Sequence, residues 1–257
     1  MPYRLTNIIT FILLALLLCL HNLWQPVAWW IFVLLLVAYT AVLAWGSVNI
    51  GAGFYMPVTC QVNTTKRVVA LTFDDGPQSS FTQQVLDILA AHKVPAAFFC
   101  IGKNVAAQGE LMQRIHAEGH LIGNHSYSHH FWFDLFGAGR MLEELRRTDA
   151  LIEKATGGRP HFFRPPYGVT NPNLRKAVMK GGYFPLGWSI RSLDTIAKEE
   201  EQLLHRIGSK LKPGSIILLH DSAEITVKIL PSLIADIHHK GYTIERIDKM
   251  LNIPAYV

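Results

Sequence analysis

From about Val68 onward, short apolar runs alternate with longer helical stretches, and this alternation restricts the fold more than any other feature of the chain. The runs are VVALTF, AAFFCIG, HLIGN, HFFRP, YFPLGWS, SIILLH and YTIERI. Each is too short for a helix and apolar throughout, as a strand covered on both faces of a parallel sheet must be. Between them lie FTQQVLDILAAHK, a stretch around LMQRIHAEG, MLEELRRTDALIEKATG, NPNLRKAVMKGG, EEQLLHRIGSKLK and ITVKILPSLIADIHHKG, in the last of which Pro231 starts or kinks a helix. Gly119, Gly157–Gly158, Gly181–Gly182 and Gly241 fall where helices should stop. The expectation is an α/β barrel rather than a sandwich.

In a parallel barrel the chemistry gathers at the carboxyl ends of the strands. Polar residues fall there in succession. Asp74 and Asp75 follow the first run, His125 and His129 the third, Arg164 the fourth, Asp194 the fifth, and His220 ends the sixth. Such a succession marks an enzyme.

Each cluster has a physical reading. In TFDDGP a single Asp would serve as a cap or turn former, but two adjacent carboxylates repel, and a cation is the natural way to keep both ionised. HSYSH spaces two imidazoles four residues apart, about one helical turn, so that both can face one ion. Histidine with carboxylate suits zinc and its neighbours. RPPYG follows a strand with a proline-stiffened loop able to aim an Arg and a backbone N–H, as transition-state stabilisation requires. IILLHD carries His220 to the end of a wholly apolar strand, where an acid–base role is open to it.

The first 50 residues are of a different kind: one basic residue, Arg4, and no acid. Ile8 to Leu20 is short for a span, yet neither a small-x-small cleavage site nor a lipoprotein site follows it, since Leu18 is too bulky before Cys19. Val27 to Trp45 runs 19 residues without a charge, about 28 Å as a helix, with Trp24, Trp29, Trp30 and Trp45 near its ends. Residues 1–50 are therefore read as a helical hairpin that crosses a membrane twice, residues 51–65 as a linker marked by Gly51, Gly53 and Pro57, and residues 66–257 as the catalytic domain. Arg4, Lys66 and Arg67 give a positive-inside vote for both ends in the cytoplasm, in tension with an external glycan substrate.

Outside the hairpin the chain carries 23 basic and 19 acidic residues, scattered among one another. No basic cluster interleaved with aromatics suggests a nucleic-acid partner. Cys19, Cys60 and Cys100 give no disulfide framework, and a pairing of Cys60 with Cys100 stays open.

TFDDGP, HSYSH, RPPYG and LLH, in this order and at these separations, resemble the successive signature motifs of the polysaccharide deacetylase family (NodB homology domain, carbohydrate esterase family 4) over roughly residues 66 to 250. The resemblance implies a distorted (β/α) barrel of about seven parallel strands. It implies a hydrolase acting on carbon–nitrogen bonds of linear amides, with a divalent metal, zinc first and cobalt, nickel or manganese next, held by Asp75, His125 and His129. It makes Asp74 the general base, Arg164 its partner, and the Tyr167 backbone N–H an oxyanion donor. His220 becomes the general acid supported by Asp194, and Trp188 and Leu218 line a pocket for the acetyl methyl.

One motif departs from the family pattern. WSIRSLDT keeps Trp188 and Asp194 but has Arg191 and Thr195 where the family usually has an Asp and a Trp. Two substrates follow: N-acetylglucosamine-type units of peptidoglycan or another surface glycan, or a lipid-linked amino sugar deacetylated or deformylated at a bacterial inner or cytoplasmic membrane. A non-catalytic scaffold would show a lost base, acid or ligand, and none is lost. A nuclease or phosphatase could use the same ligands, since ligands alone do not name the bond broken.

Overall fold

The computed structural model describes residues 2–257. Its centre is β1 (Val68–Asp74), every residue of which is buried. On one side follow β2 (Ala97–Cys100), β3 (Leu121–Asn124), β4 (Phe162–Phe163) and β5 (Phe184–Pro185); on the other lie β7 (Ser215–His220) and then β6 (Ile190–Arg191). All these pairings are parallel, and the seven-strand path curls into a half-barrel with β5 and β6 at its edges. The short β8 (Thr243–Ile244) pairs only with Val68 and Val69. The expected runs all contain strands. The additional one, β6, escaped notice because its two residues differ in burial, Ile190 inside and Arg191 exposed.

Strand alternation sorts the core into layers. Val69, Leu71 and Phe73 of β1 point outward with Ile217 and Leu219 of β7, into a layer shared with the helices. Those helices include α3 (Phe81–His92), α5 (Gly109–Ala117), α8 (Glu200–Gly208) and α9 (Glu224–His239), with the short α4 (Gly102–Ala107) between α3 and α5. Ala70 and Ile216 face inward, against Phe99, Leu121, Phe162 and the chain end around α10 (Ile247–Leu251). A third cluster joins α6 (Ala138–Thr156) to α7 (Pro172–Gly181). Asn171 caps α7 by accepting from Leu174 N at 2.8 Å, with Pro172 in the first turn. α6 and α7 stop at left-handed Gly157 and Gly182. Pro231 does not start a helix: α9 begins at Glu224 and runs through it.

The N-terminal segment forms α1 (Pro2–Leu23) and α2 (Trp29–Val48), both long and apolar enough to cross a bilayer. Among the described residues, Gly46 alone in these two helices is buried, so they are not the core of a globular unit. Both free ends of the hairpin meet the barrel: Tyr3 N donates to Phe54 O at 3.3 Å, and Thr170 N to Ser47 O at 3.0 Å.

Residues 51–65, expected as a linker, are packed rather than loose. Phe54, Tyr55, Met56 and Val62 are buried. Thr59 exchanges hydrogen bonds with the β5 edge (Thr59 N to Pro185 O, Gly187 N to Thr59 O), and Val62 N donates to Gly214 O just before β7. The segment therefore lies along the open side of the half-barrel. Gly51, Gly53 and Pro57 suggested a linker, but the apolar FYM between them has the burial of a core segment. The open pairing of Cys60 with Cys100 is not made: all three cysteines are free thiols, Cys100 in the layer beneath the helices and Cys60 against Gly187.

Candidate active site

The alternation that sends Phe73 outward turns Thr72 and Asp74 inward, where they meet Arg164. Arg164 follows β4 and is completely buried. Its Nη1 donates to Thr72 Oγ1 at 2.9 Å and to Asp74 Oδ1 at 2.7 Å, its Nη2 to Gly187 O at 2.9 Å and its Nε to Leu186 O at 3.3 Å. The Phe99 ring lies 4.1 Å from the guanidinium carbon. Burial pushes the Asp74 pKa up, and the charges of Arg164 and His220 work against it. A buried charge so fully partnered fixes one orientation of the Asp74 carboxylate.

Asp75, the next residue, has φ +77°, a left-handed conformation that Asp adopts more readily than most residues. Its Oδ1 lies 3.7 Å from His125 Nε2 and 3.6 Å from His129 Nε2. One ligand atom from each of the three lies within 4.8 Å of the other two. His125 Nδ1 is 2.8 Å from Arg164 O. A carbonyl only accepts, so Nδ1 carries the proton and the Nε2 lone pair faces Asp75. Burial, with His129 alongside, pushes the His125 pKa down to about 3 and keeps the ring neutral. Two neutral imidazoles and a carboxylate converging in this way fit a divalent ion of the zinc type.

The two histidines are not brought together by a helical turn, as their spacing suggested. HSYSH is a loop in which Ser126 and His129 have φ +64° and +45°. Asn124 Oδ1 accepts from Ser126 N at 2.8 Å, Ser126 Oγ accepts from His129 N at 3.1 Å, and Glu144 accepts from Ser128 N and Oγ. The ring centroids end 4.9 Å apart. Asn124 could have been noticed as a turn former ending a strand. Glu144, on the exposed-looking face of a helix, gave no signal.

Opposite Asp74 in strand register stands His220, the last residue of β7. Asp194 Oδ1 is 2.7 Å from His220 Nδ1, while Asp194 Oδ2 accepts from His220 N at 2.7 Å and Thr226 Oγ1 at 2.6 Å. Burial opposes a charged His220, but the hydrogen bond and charge of Asp194 overcome it and hold the pKa at about 9. Asp194 follows β6, not β5, so the sixth-sheet position missed in the sequence is the one that carries it.

These groups surround one cavity of about 250 Å³, whose walls include Asp74, Asp75, His125, His129, Tyr167, Trp188, Leu218 and His220, with Arg191 and Thr195 at the side. Arg164 and Asp194 stand behind the wall, each touching a residue that lines it. Gly168, at φ +72°, leaves room that a Cβ would take from the Trp188 ring. Among the described residues no hydrogen bond uses the Tyr167 backbone N–H. Asp221 was not anticipated: it is buried, accepts from Thr82 Oγ1 at 2.6 Å, and burial raises its pKa to about 7. Its carboxylate occupies the space beside Gly76 that a Cβ would need, so it backs the Asp75 turn.

A parallel half-barrel with a metal-ligating trio and separate carboxylate and imidazole groups around one cavity defines a barrel hydrolase. Comparison with known proteins gives the class its family. The polysaccharide deacetylase family matches residues 61–186. A peptidoglycan-N-acetylglucosamine deacetylase of Bacillus cereus is 34% identical over 199 residues, covering 74% of this chain and 72% of that one. A chitooligosaccharide deacetylase of a Bradyrhizobium species is 32% identical, covering 72% of this chain and 90% of that one. The crystal structure of a peptidoglycan N-acetylglucosamine deacetylase superposes with a TM-score of 0.73 at 29% identity, over 78% of this chain and 95% of that one. The chain belongs to the polysaccharide deacetylase family, hydrolases of N-acetyl amides.

Proposed function

We propose that this chain is a metal-dependent deacetylase, anchored in a bacterial inner or cytoplasmic membrane by residues 1–50. It hydrolyses the N-acetyl amide of N-acetylglucosamine-type units in peptidoglycan or another cell-surface glycan and releases acetate. The observation that carries the reading is the placement of Asp74 and His220 opposite each other, beside the Asp75, His125 and His129 trio, on one cavity. Asp75, His125 and His129 would hold the ion, zinc by the chemistry of its donors. Such an ion, when bound, lowers the pKa of water and polarises a carbonyl.

The remaining work falls to the chain. Asp74 Oδ1 is taken by Arg164, which leaves Oδ2 to accept the proton of the attacking water. The Tyr167 N–H donates to the oxygen that gains charge as the carbonyl carbon becomes tetrahedral. His220, protonated at neutral pH, donates from Nε2 to the departing nitrogen while Asp194 holds Nδ1. The amide C–N bond breaks, acetate and a free amine leave, and solvent returns the protons. Leu218 and Trp188 offer apolar contact to the acetyl methyl.

The test is acetate release from N-acetylglucosamine oligomers by the full chain in detergent. Release should vanish with a chelator and return with zinc. Chelator-insensitive release, or none from folded zinc-loaded protein, would remove the reading. A second reading, deacetylation or deformylation of a lipid-linked amino sugar, is supported by Arg191 at the cavity and by the bond between Ser47 and Thr170. A topology reporter fused after Val257 separates the two, because export of the domain favours the surface glycan.

A further inference from the structure

One wall of the cavity continues into an apolar lip that the chemistry does not use. Beyond His129 the chain presents Phe131, Trp132 and Leu135 to solvent, 69%, 56% and 75% exposed. The Phe131 and Trp132 rings meet edge to face at 4.7 Å. Burying one such side chain is worth about 1.5–3 kcal/mol, so three left in water on one turn need an explanation. The turn is not loose. Phe133 and Phe136 point inward and are buried with Met141, Leu145 and Leu174, and Leu135 N donates to Trp132 O at 3.1 Å. The outward trio is therefore held out by a packed base.

The apolar hairpin ends at this same rim. Ser47 O, in the last turn of α2, accepts from Thr170 N three residues past Tyr167. The adjacent Asn171 Nδ2 donates to Asp134 O, between Phe133 and Leu135, at 2.8 Å. Two hydrogen bonds thus connect the end of α2 to the lip. At that end of α2, Trp45 and Val48 are 54% and 67% exposed, where residues meeting the bilayer surface are expected.

We infer that the turn carrying Phe131, Trp132 and Leu135 docks into the headgroup layer of the membrane that α1 and α2 cross, so that the cavity opens at the bilayer surface. The inference rests on the reading of α1 and α2 as membrane helices. A bilayer is the occupant because α2 already fixes one beside this rim. Aromatic and leucine side chains on a rigid turn suit the apolar–polar boundary. The substrate class that follows is an N-acetylated amino sugar held at the membrane surface, delivered past His129 and Tyr167.

The test is a depth measurement that needs no turnover. Nitroxide labels are placed at Leu135→Cys, at Leu34→Cys within α2, and at His239→Cys, exposed at the far end of α9, each in a full chain with Cys19 and Cys60 replaced by serine. The proteins are reconstituted in phosphatidylethanolamine–phosphatidylglycerol vesicles, and accessibility to oxygen and to a water-soluble nickel chelate is compared. The expected result is oxygen-rich exposure at positions 34 and 135 and nickel-rich exposure at 239. A lipid-like signal at 34 with a water-like signal at 135 overturns the docking and leaves the hairpin. A water-like signal at 34 removes the membrane reading and the docking with it. A label at 135 shielded from both reagents shows a protein contact and also overturns the proposal. None of these outcomes touches the deacetylase reading, which acetate release tests by itself.

Discussion

Arg164 Nη1 donates to Asp74 Oδ1 across 2.7 Å, with the guanidinium wholly closed to solvent. The pair sets one carboxylate oxygen as fixed and the other as free. Asp74→Asn keeps the shape and removes the base, so kcat should fall by about 10²–10⁴ while zinc stays bound at one per chain. It also leaves the Arg164 charge unpaired in the interior, which costs about 3–5 kcal/mol, so the melting temperature should fall as well. Kinetics, metal analysis and calorimetry on one preparation check all three. Near-normal kcat in Asp74→Asn would reject the assigned base.

His125 differs from Asp74 in what its loss should do. Its Nε2 faces Asp75 and its Nδ1 proton is held by Arg164 O. His125→Ala should weaken zinc binding by more than the about 10–100-fold typical of changes to groups behind a ligand. Competition with a chromogenic chelator measures this directly. Unchanged affinity would exclude His125 from the ligand set.

Asp194 makes His220 an acid over an unusual range. Burial alone would lower the imidazole pKa; Asp194 raises it from 6.5 to about 9. With the folded value above the unfolded one, the pair's contribution to stability is complete below about pH 6.5 and fades as pH rises through about 9. Wild-type kcat should therefore decline above about pH 9 as the proton is lost. In Asp194→Asn burial prevails, and the decline should begin below neutrality, with kcat at pH 8 reduced by about 10² or more. The kcat–pH profiles of the two proteins decide it, and a basic limb that does not move would separate Asp194 from the acid.

Much of this arrangement was legible because buried parallel strands leave continuous apolar runs. β1 and β7 stand out in that way, and the residues at their ends, Asp74 and His220, were read with them. What the sequence hid depends on short or non-local contacts. β6 is two residues long, too brief for any period, yet it leads to Asp194. The four-residue spacing of His125 and His129 pointed to a helix, whereas a left-handed loop pinned by Asn124 and Glu144 brings them together. Glycine and proline around Phe54, Tyr55 and Met56 suggested a linker, and only the third dimension shows the β5 edge and the α6–α7 cluster waiting to bury that segment.

Arg191 tests what the cavity selects. It ends β6, is exposed, and stands over Trp188 with its guanidinium carbon 5.8 Å from the ring centroid. No carboxylate pairs with it among the ion pairs of the described residues. A cation on the wall of a substrate cavity favours an amino sugar that carries phosphate or carboxylate near its acetamido group. One exposed charge pair is worth up to about 1 kcal/mol, or about 5-fold in binding. Arg191→Ala should therefore raise KM about 5-fold for an anionic N-acetylated sugar, leave kcat unchanged, and leave both constants for an uncharged oligomer within about twofold. Salt should narrow the wild-type preference for the anionic substrate and leave the variant's unaffected, because an exposed charge is screened. Equal changes on charged and uncharged substrates would show that Arg191 acts through the packing of Trp188 instead.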